Sequence, residues 1–394
     1  MKRIVIIANF VDKSFVDNNS RFVYLSRLLS AHNDVELITS SFDHNTKTQK
    51  QKSTDNEQFR TSLIKECGYP RNICLKRFAS HMLWGLNVAR YVKKIENIDV
   101  IYCAVPSLTA AFLASRISKK KNIKFVIDIQ DLWPEAFEMV FNVPIIKTIV
   151  FFPFRVLVDS IYKSADEVFA VSETYAKRAN INNSQIQPHS VFLGTELEKF
   201  DEYAFNSNLK RGNRNFIIGY CGSLSNSYDL ITVIDAISHA TDEEETNIEF
   251  FVMGDGQRRQ EFEDYANKKG IIARFFGRLP YPDMCRMLVQ CDIVVNPISK
   301  NSAASIVNKV GDYAAAGKPV INTQDSNEYR ELIEEYHMGI NCDNGNSDMM
   351  TRAILTLLRD SRLRDEMSKN ARRCAEERFD RGHTYDKIVT VLQS

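Results

Sequence analysis

Residues 305–323 read SIVNKVGDYAAAGKPVINT, and this stretch decides the fold. Ser305, Lys309 and Asp312 stand at i, i+4 and i+7, and Asn308 stands four before Asp312, so the spacing predicts a helix carrying all four on one face. Gly317 is placed to end that helix in a left-handed cap, and Pro319 keeps it from resuming before the apolar run Val320–Asn322. A helix stopped abruptly ahead of a buried strand is one half of an α/β unit. A cation and a carboxylate at the entry of such a unit lie where open parallel sheets take their ligands, which favours a polar, phosphorylated ligand. The alternative is a solvated Lys309–Asp312 pair worth about 0.2–0.5 kcal/mol.

Outward from that segment, short runs rich in Val, Ile and Phe alternate with helical stretches, the pattern of a parallel sheet. In the first half they cover residues 3–8, 35–39, 100–105, 124–129, 168–171 and 191–193. The pattern restarts at 216–220, 248–253, 274–276, 293–295, 320–322 and 339–341. Two doubly wound domains follow, as a chain of 394 residues leads one to expect. The polar segment 201–215 reads as the linker and hinge, dividing the chain into domains 1–205 and 206–375. The last piece, 376–394, is a helix that either packs beside its own domain or crosses back to the first. The tract 43–57 reads as a mobile loop at the mouth of the first domain.

Composition narrows the classes. A hydrophobic fraction of 44% and a charged fraction of 26% are those of an ordinary globular protein. Net charge is +1, split as +7 over residues 1–200 and −6 over the rest, with no basic face or repeat for nucleic acid. Eight cysteines show neither a C-x-x-C pair nor zinc-site spacing, a reduced, cytoplasmic pattern. The opening MKRIVIIANF reads as a buried strand rather than a signal peptide. The longest apolar region, 140–162, is interrupted by Pro144, Lys147, Pro153, Arg155 and Asp159 and makes a poor membrane span.

Glycines mark further strand ends. Gly254-Asp255-Gly256 follows FFVM, Gly277-Arg278 follows ARFF, and Gly222-Ser223 ends the first strand of the second half. Glycine at a strand-to-helix turn admits a ligand close to the backbone, or simply makes a tight turn. Three such ends on the same sheet edge as Lys309 would converge on one crevice.

In their order, the G-D-G turn, the F-x-G, the strand D-I-V-V-x-P and the acidic residue five before G-K-P-V-I resemble the nucleotide-sugar-binding domain of family-four glycosyltransferases. Asp131-Leu132-Trp133-Pro134-Glu135, Ala170-Val171-Ser172-Glu173, and Gly194 with Phe200 resemble landmarks of the subgroup that builds bacterial capsule and O-antigen polysaccharides. The resemblance implies the GT-B fold, two Rossmann-like parallel-sheet domains facing across a cleft, with the acceptor on the first domain and the donor on the second. It departs at four places, one being the lack of a Gly-Gly pair after the first strand, where Asp17-Asn18-Asn19-Ser20-Arg21 stands. Ala304 stands where the family carries a first glutamate, Gln130 where it often carries histidine, and Leu193-Gly194-Thr195-Glu196 where it carries N-G-V-D.

The resemblance implies a retaining transfer from a nucleotide-diphosphate sugar, UDP-linked, to an oligosaccharide or lipid-linked acceptor. In that frame Asp312 takes the ribose hydroxyls and the backbone at Gly277-Arg278 the base edge, with Ser305, Asn308, Gly222, Ser223, Gly254 and Gly256 lining the donor. Lys309 and its helix N-terminus would neutralise the departing diphosphate, with Arg258 as a second cation. Asp131 and Glu135 would hold the acceptor with Asp128 behind them, unless Asp131 merely caps a helix. No metal or other cofactor is required, though Mg can accompany the nucleotide. Lys76-Arg77, Trp84, Arg90 and Lys93-Lys94 with Leu83, Leu86 and Val88, and the apolar run 145–154, suggest peripheral contact with the anionic inner face of the cytoplasmic membrane. The competing readings are a catalytically degenerate nucleotide-binding partner subunit, motivated by Ala304 and Gln130, and a sugar-nucleotide epimerase.

Overall fold

The computed structural model describes residues 1–11, 20–50, 58–71, 74–135, 144–181, 183–205, 215–300 and 306–394, the backbone alone over 144–150. The chain forms two compact units, Met1–Phe192 with Tyr385–Ser394, and Leu193–Thr384.

The first unit is built on β1 (Arg3–Ile7), β2 (Asp34–Ser40), β5 (Arg60–Ile64), β6 (Val100–Val105), β7 (Lys124–Ile129), β8 (Glu167–Ala170) and β9 (His189–Ser190). They lie in the order β5-β2-β1-β6-β7-β8-β9, all parallel. A separate hairpin pairs β3 (Phe42–Asp43) with β4 (Thr48–Gln49). Central strands such as VIYCAV are buried on both faces, which is why they read as continuous apolar runs. Ile4, Ile6, Tyr102 and Val126 pack there with Phe22, Leu25 and Leu29. The C-terminal helix Asp386–Gln393 adds Ile388 and Leu392 to that same core, so the tail crosses back.

The second unit is built on β10 (Phe216–Cys221), β11 (Ile248–Met253), β12 (Ile272–Gly277), β13 (Ile293–Asn296), β14 (Val320–Asn322) and β15 (Gly339–Asn341). Its order is β12-β11-β10-β13-β14-β15, again parallel throughout. In each sheet the strand order reverses beside the first strand, between β1 and β6 and between β10 and β13. The crevice at such a switch point, outside the carboxyl ends of the strands, is the ligand position of this architecture.

Three elements differ from expectation. β5 went unread because an edge strand, half-exposed along RTSLI, carries no apolar run. Of the polar tract expected to be a loop, residues 43–50 complete the hairpin, and Lys50 is buried with its ammonium donating to the carbonyls of Val11 and Ser40 (2.5 and 2.9 Å); residues 51–57 lie outside the described residues. Part of the expected linker is helical, Leu197–Phe205, and belongs to the second unit; residues 206–214 lie outside the described residues.

Candidate active site

The helix predicted from the opening stretch runs from Lys309 to Ala315, and Gly317 follows in the left-handed conformation at φ +58°. Its late start changes the expected stripe. Asn308 precedes the helix, exposed and without a side-chain cap bond, and Ser305 and Ala304 lie outside the described residues. Lys309 and Asp312 remain, both buried, and they do not pair with each other.

Asp312 Oδ1 accepts hydrogen bonds from Thr195 Oγ1 and Tyr281 OH, each 2.8 Å. Burial raises its pKa against those two bonds and the nearby Arg381. A ribose would find one carboxylate oxygen already occupied. Lys309 is different: only 8% exposed, its ammonium has no hydrogen-bond partner among the described residues. It stands 4.2 Å from the ring centres of both Tyr220 and Tyr228. Desolvation lowers its pKa to about 7.

The glycine-bearing strand ends do converge. Gly222, Gly254 and Gly277 end the adjacent strands β10, β11 and β12, with Gly254 bridged to Gly277. At Gly254 and Gly256 the nearest visitor is the chain's own backbone, whereas at Gly222 it is the Tyr220 hydroxyl and at Gly277 the Arg259 guanidinium. A β-carbon on Gly254 would lie 1.7 Å from the Gly222 carbonyl oxygen, and one on Gly256 2.2 Å from that of Leu224. The loops are laced by Leu224 N–H to Asp255 O and Arg258 N–H to Leu224 O, each 3.0 Å. A β-carbon on Gly222 would stand 3.5 Å from Lys309 Nζ, so this loop and the ammonium are direct neighbours.

Two other donor-side candidates are placed differently. Arg258, expected as a second cation, is paired with Glu261 at 2.5 and 2.8 Å, because the two face each other at i, i+3 around a helix start. Arg278 and Ser223 are exposed at the rim, and the Ser223 carbonyl accepts from Tyr220 OH at 2.7 Å. The sequence reading missed Tyr220, Tyr228, Thr195 and Tyr281. Thr195, in the departure from N-G-V-D, carried the one available signal.

In the first unit, Asp128 lies in the interior. It is fully buried in an ion pair with Arg21 (2.7 and 3.3 Å) and accepts from Tyr102 OH at 2.6 Å. Asp131 accepts from Leu132 N–H (2.9 Å) and Trp133 Nε1 (3.2 Å), and burial raises its pKa. Glu135 Oε1 accepts from Arg178 Nε at 2.7 Å. Beside Asp131, Trp133 stacks on His81 (5.7 Å, 7°), and Arg77 lies 5.0 Å over the Trp133 ring. Trp84 is wholly buried and Arg77 half-buried, so neither is the open solvent-facing side chain that the membrane reading pictured.

With that geometry in view, residues 201–374 match the family model described as glycosyl transferases group 1. A curated relative, the Campylobacter jejuni GalNAc-alpha-(1->4)-GalNAc-alpha-(1->3)-diNAcBac-PP-undecaprenol alpha-1,4-N-acetyl-D-galactosaminyltransferase, is 24% identical over 199 residues, 49% of this chain. The match spans about half, 51%, of that relative's length. Among solved structures, Anabaena HepE in complex with UDP aligns over 100% of both chains at TM-score 0.72 and 17% identity. Sucrose-phosphate synthase from Thermosynechococcus elongatus aligns over 100% of this chain and 98% of its own at TM-score 0.74 and 15% identity. The fold is that of the GT-B glycosyltransferases, and residues 201–374 are similar to the group 1 glycosyltransferase family.

Proposed function

We propose that this protein is a glycosyltransferase that moves a sugar from a UDP-linked donor, held by the second unit, to a glycan acceptor on the first. The observation that carries this reading is Lys309: a buried ammonium, without a hydrogen-bond partner among the described residues, at the switch point of a parallel sheet. The family match and the UDP held by HepE support the donor class.

Negative charge grows on the diphosphate as the glycosidic bond breaks. A fixed ammonium there stabilises the transition state more than the ground state, which is what accelerates the reaction. Transfer proceeds with retention, the acceptor hydroxyl attacking on the face the diphosphate leaves and passing its proton to a departing phosphate oxygen. In this scheme Lys309 is the catalytic cation, Asp312 and the loops at Gly222-Ser223, Gly254-Gly256 and Gly277-Arg278 hold the nucleotide, and Asp131 with Glu135 orients the acceptor. No metal or other cofactor is needed.

The relative's name specifies a polyprenol-linked oligosaccharide and an N-acetylhexosamine, which favours a lipid-linked acceptor, such a sugar, and surface-polysaccharide assembly at the cytoplasmic face of the membrane. All eight cysteines are free, in keeping with that compartment. No described helix is long and apolar enough to cross a membrane. Peripheral contact is supported by helix Leu75–Val92, whose outer face exposes Leu75 (86%), Met82 (50%) and Leu83 with Lys76 and Arg90. Phe152 and Val156 are exposed on helix Pro144–Ser164. Apolar side chains flanked by cations suit an anionic bilayer.

The test is a thermal-shift panel of sugar nucleotides, followed by transfer assays with Lys309→Ala and Asp312→Ala. Stabilisation by UDP-sugars, lost in both variants with the fold intact, is expected. Unchanged donor binding in both would remove the site.

A further inference from the structure

The donor reading uses the charge of Lys309 but leaves open what holds that charge in place. We propose that Tyr220 and Tyr228 are positioning residues: their rings form a neutral corner that fixes the Lys309 ammonium beside Gly222 without an anionic partner. The inference rests on the donor reading, since it assigns the corner to diphosphate binding.

A lysine can be held by a carboxylate or by aromatic faces. A carboxylate within hydrogen-bond reach neutralises it, as Glu261 does Arg258 in this same unit. The negative face of a ring attracts an ammonium without cancelling its net charge, more strongly where water is excluded. Both ring centres lie 4.2 Å from Nζ, with the rings edge-to-face at 5.8 Å and 69°.

Each ring is itself anchored. Tyr220 is wholly buried and its hydroxyl donates to the Ser223 carbonyl, tying the ring to the loop that carries Gly222. Tyr228 packs on the second core and bridges to Ile298. From the helix of Lys309, the Tyr313 hydroxyl accepts from Cys221 N–H at 2.8 Å and pins helix to strand end. Gly222 has no side chain to block the remaining approach to Nζ.

The experiment is isothermal titration of the full chain with UDP, inorganic pyrophosphate and uridine. Tyr228→Leu is expected to weaken UDP and pyrophosphate about tenfold, while Tyr228→Phe, which keeps the ring face, stays within about twofold. Uridine binding stays unchanged in both. Should the leucine variant unfold, fluorinated phenylalanines at position 228 give the same information: affinity for pyrophosphate should fall stepwise as fluorine drains the ring face. Equal losses in the Phe and Leu variants, or no trend with fluorination, would overturn the inference while leaving the donor reading intact. Failure of the wild type to bind UDP or pyrophosphate would overturn both.

Discussion

Burying an ammonium with no carboxylate beside it lowers its affinity for a proton, and Lys309, at about 7, is the clearest case in this chain. Between that value and the ordinary 10.5, the unfolded chain carries a proton that the folded one lacks. Stability therefore rises with pH across the window, and the full cost of the buried charge is felt below it. Lys309→Met should raise the melting temperature of the nucleotide-free protein, more at pH 6 than at pH 9, while abolishing UDP binding. A lower melting temperature at pH 6 would refute this assignment. A bound diphosphate reverses the balance by favouring the ammonium. At pH 8, UDP binding should take up close to one proton, measured by calorimetry in buffers of different ionisation enthalpy, and the uptake should vanish at pH 6, where the ammonium is already protonated. Lys309 and Asp312 were legible as residues because one helix spaces them. Their partners were not, because Thr195 and Tyr281 reach Asp312 from 117 and 31 residues away.

At the scale of elements, the buried strands could be read because parallel sheets covered on both faces demand near-continuous apolar runs, as in β6 and β11. Strand β5 and the Phe42–Gln49 hairpin could not, since half-exposed residues obey no such demand. The glycines were legible in position but not in cause. The chain needs Gly254 and Gly256 where its own loops cross. Gly254→Ala tests the point: the methyl would meet the Gly222 carbonyl at 1.7 Å. We expect a loss on the order of 1–3 kcal/mol in chemical denaturation, together with weakened UDP binding because the loop beside Lys309 must shift. Unaltered binding would mean that this lacing does not shape the crevice.

Across the whole molecule, the interior of the first unit depends on chain from its far end. Arg21 gathers Asp128, the carbonyls of Val191 and Phe192 (2.9 and 3.0 Å) and the Tyr385 ring, 4.8 Å from its guanidinium. The pair is fully buried, so removing one member strands the other. Asp128→Ala should cost about 3–5 kcal/mol, read as the loss of an early denaturation transition while UDP binding by the second unit persists. If stability were unchanged, the pair would not be a structural keystone. The length of the final segment allowed a return to the first unit, but its destination was illegible because Ile388 and Leu392 would suit any apolar groove.

That return has a corollary for how the molecule can be cut. The chain leaves the first unit at Phe192 and re-enters it at Tyr385. Within the second unit the two borders already touch: Thr195 N–H donates to Phe379 O, Arg381 N–H to Thr195 O, and Arg381 Nε to Leu193 O. The second unit is thus an insert with a stapled doorway, a cassette that could be lifted out or grafted into another host protein at a single surface position without new ends having to find each other.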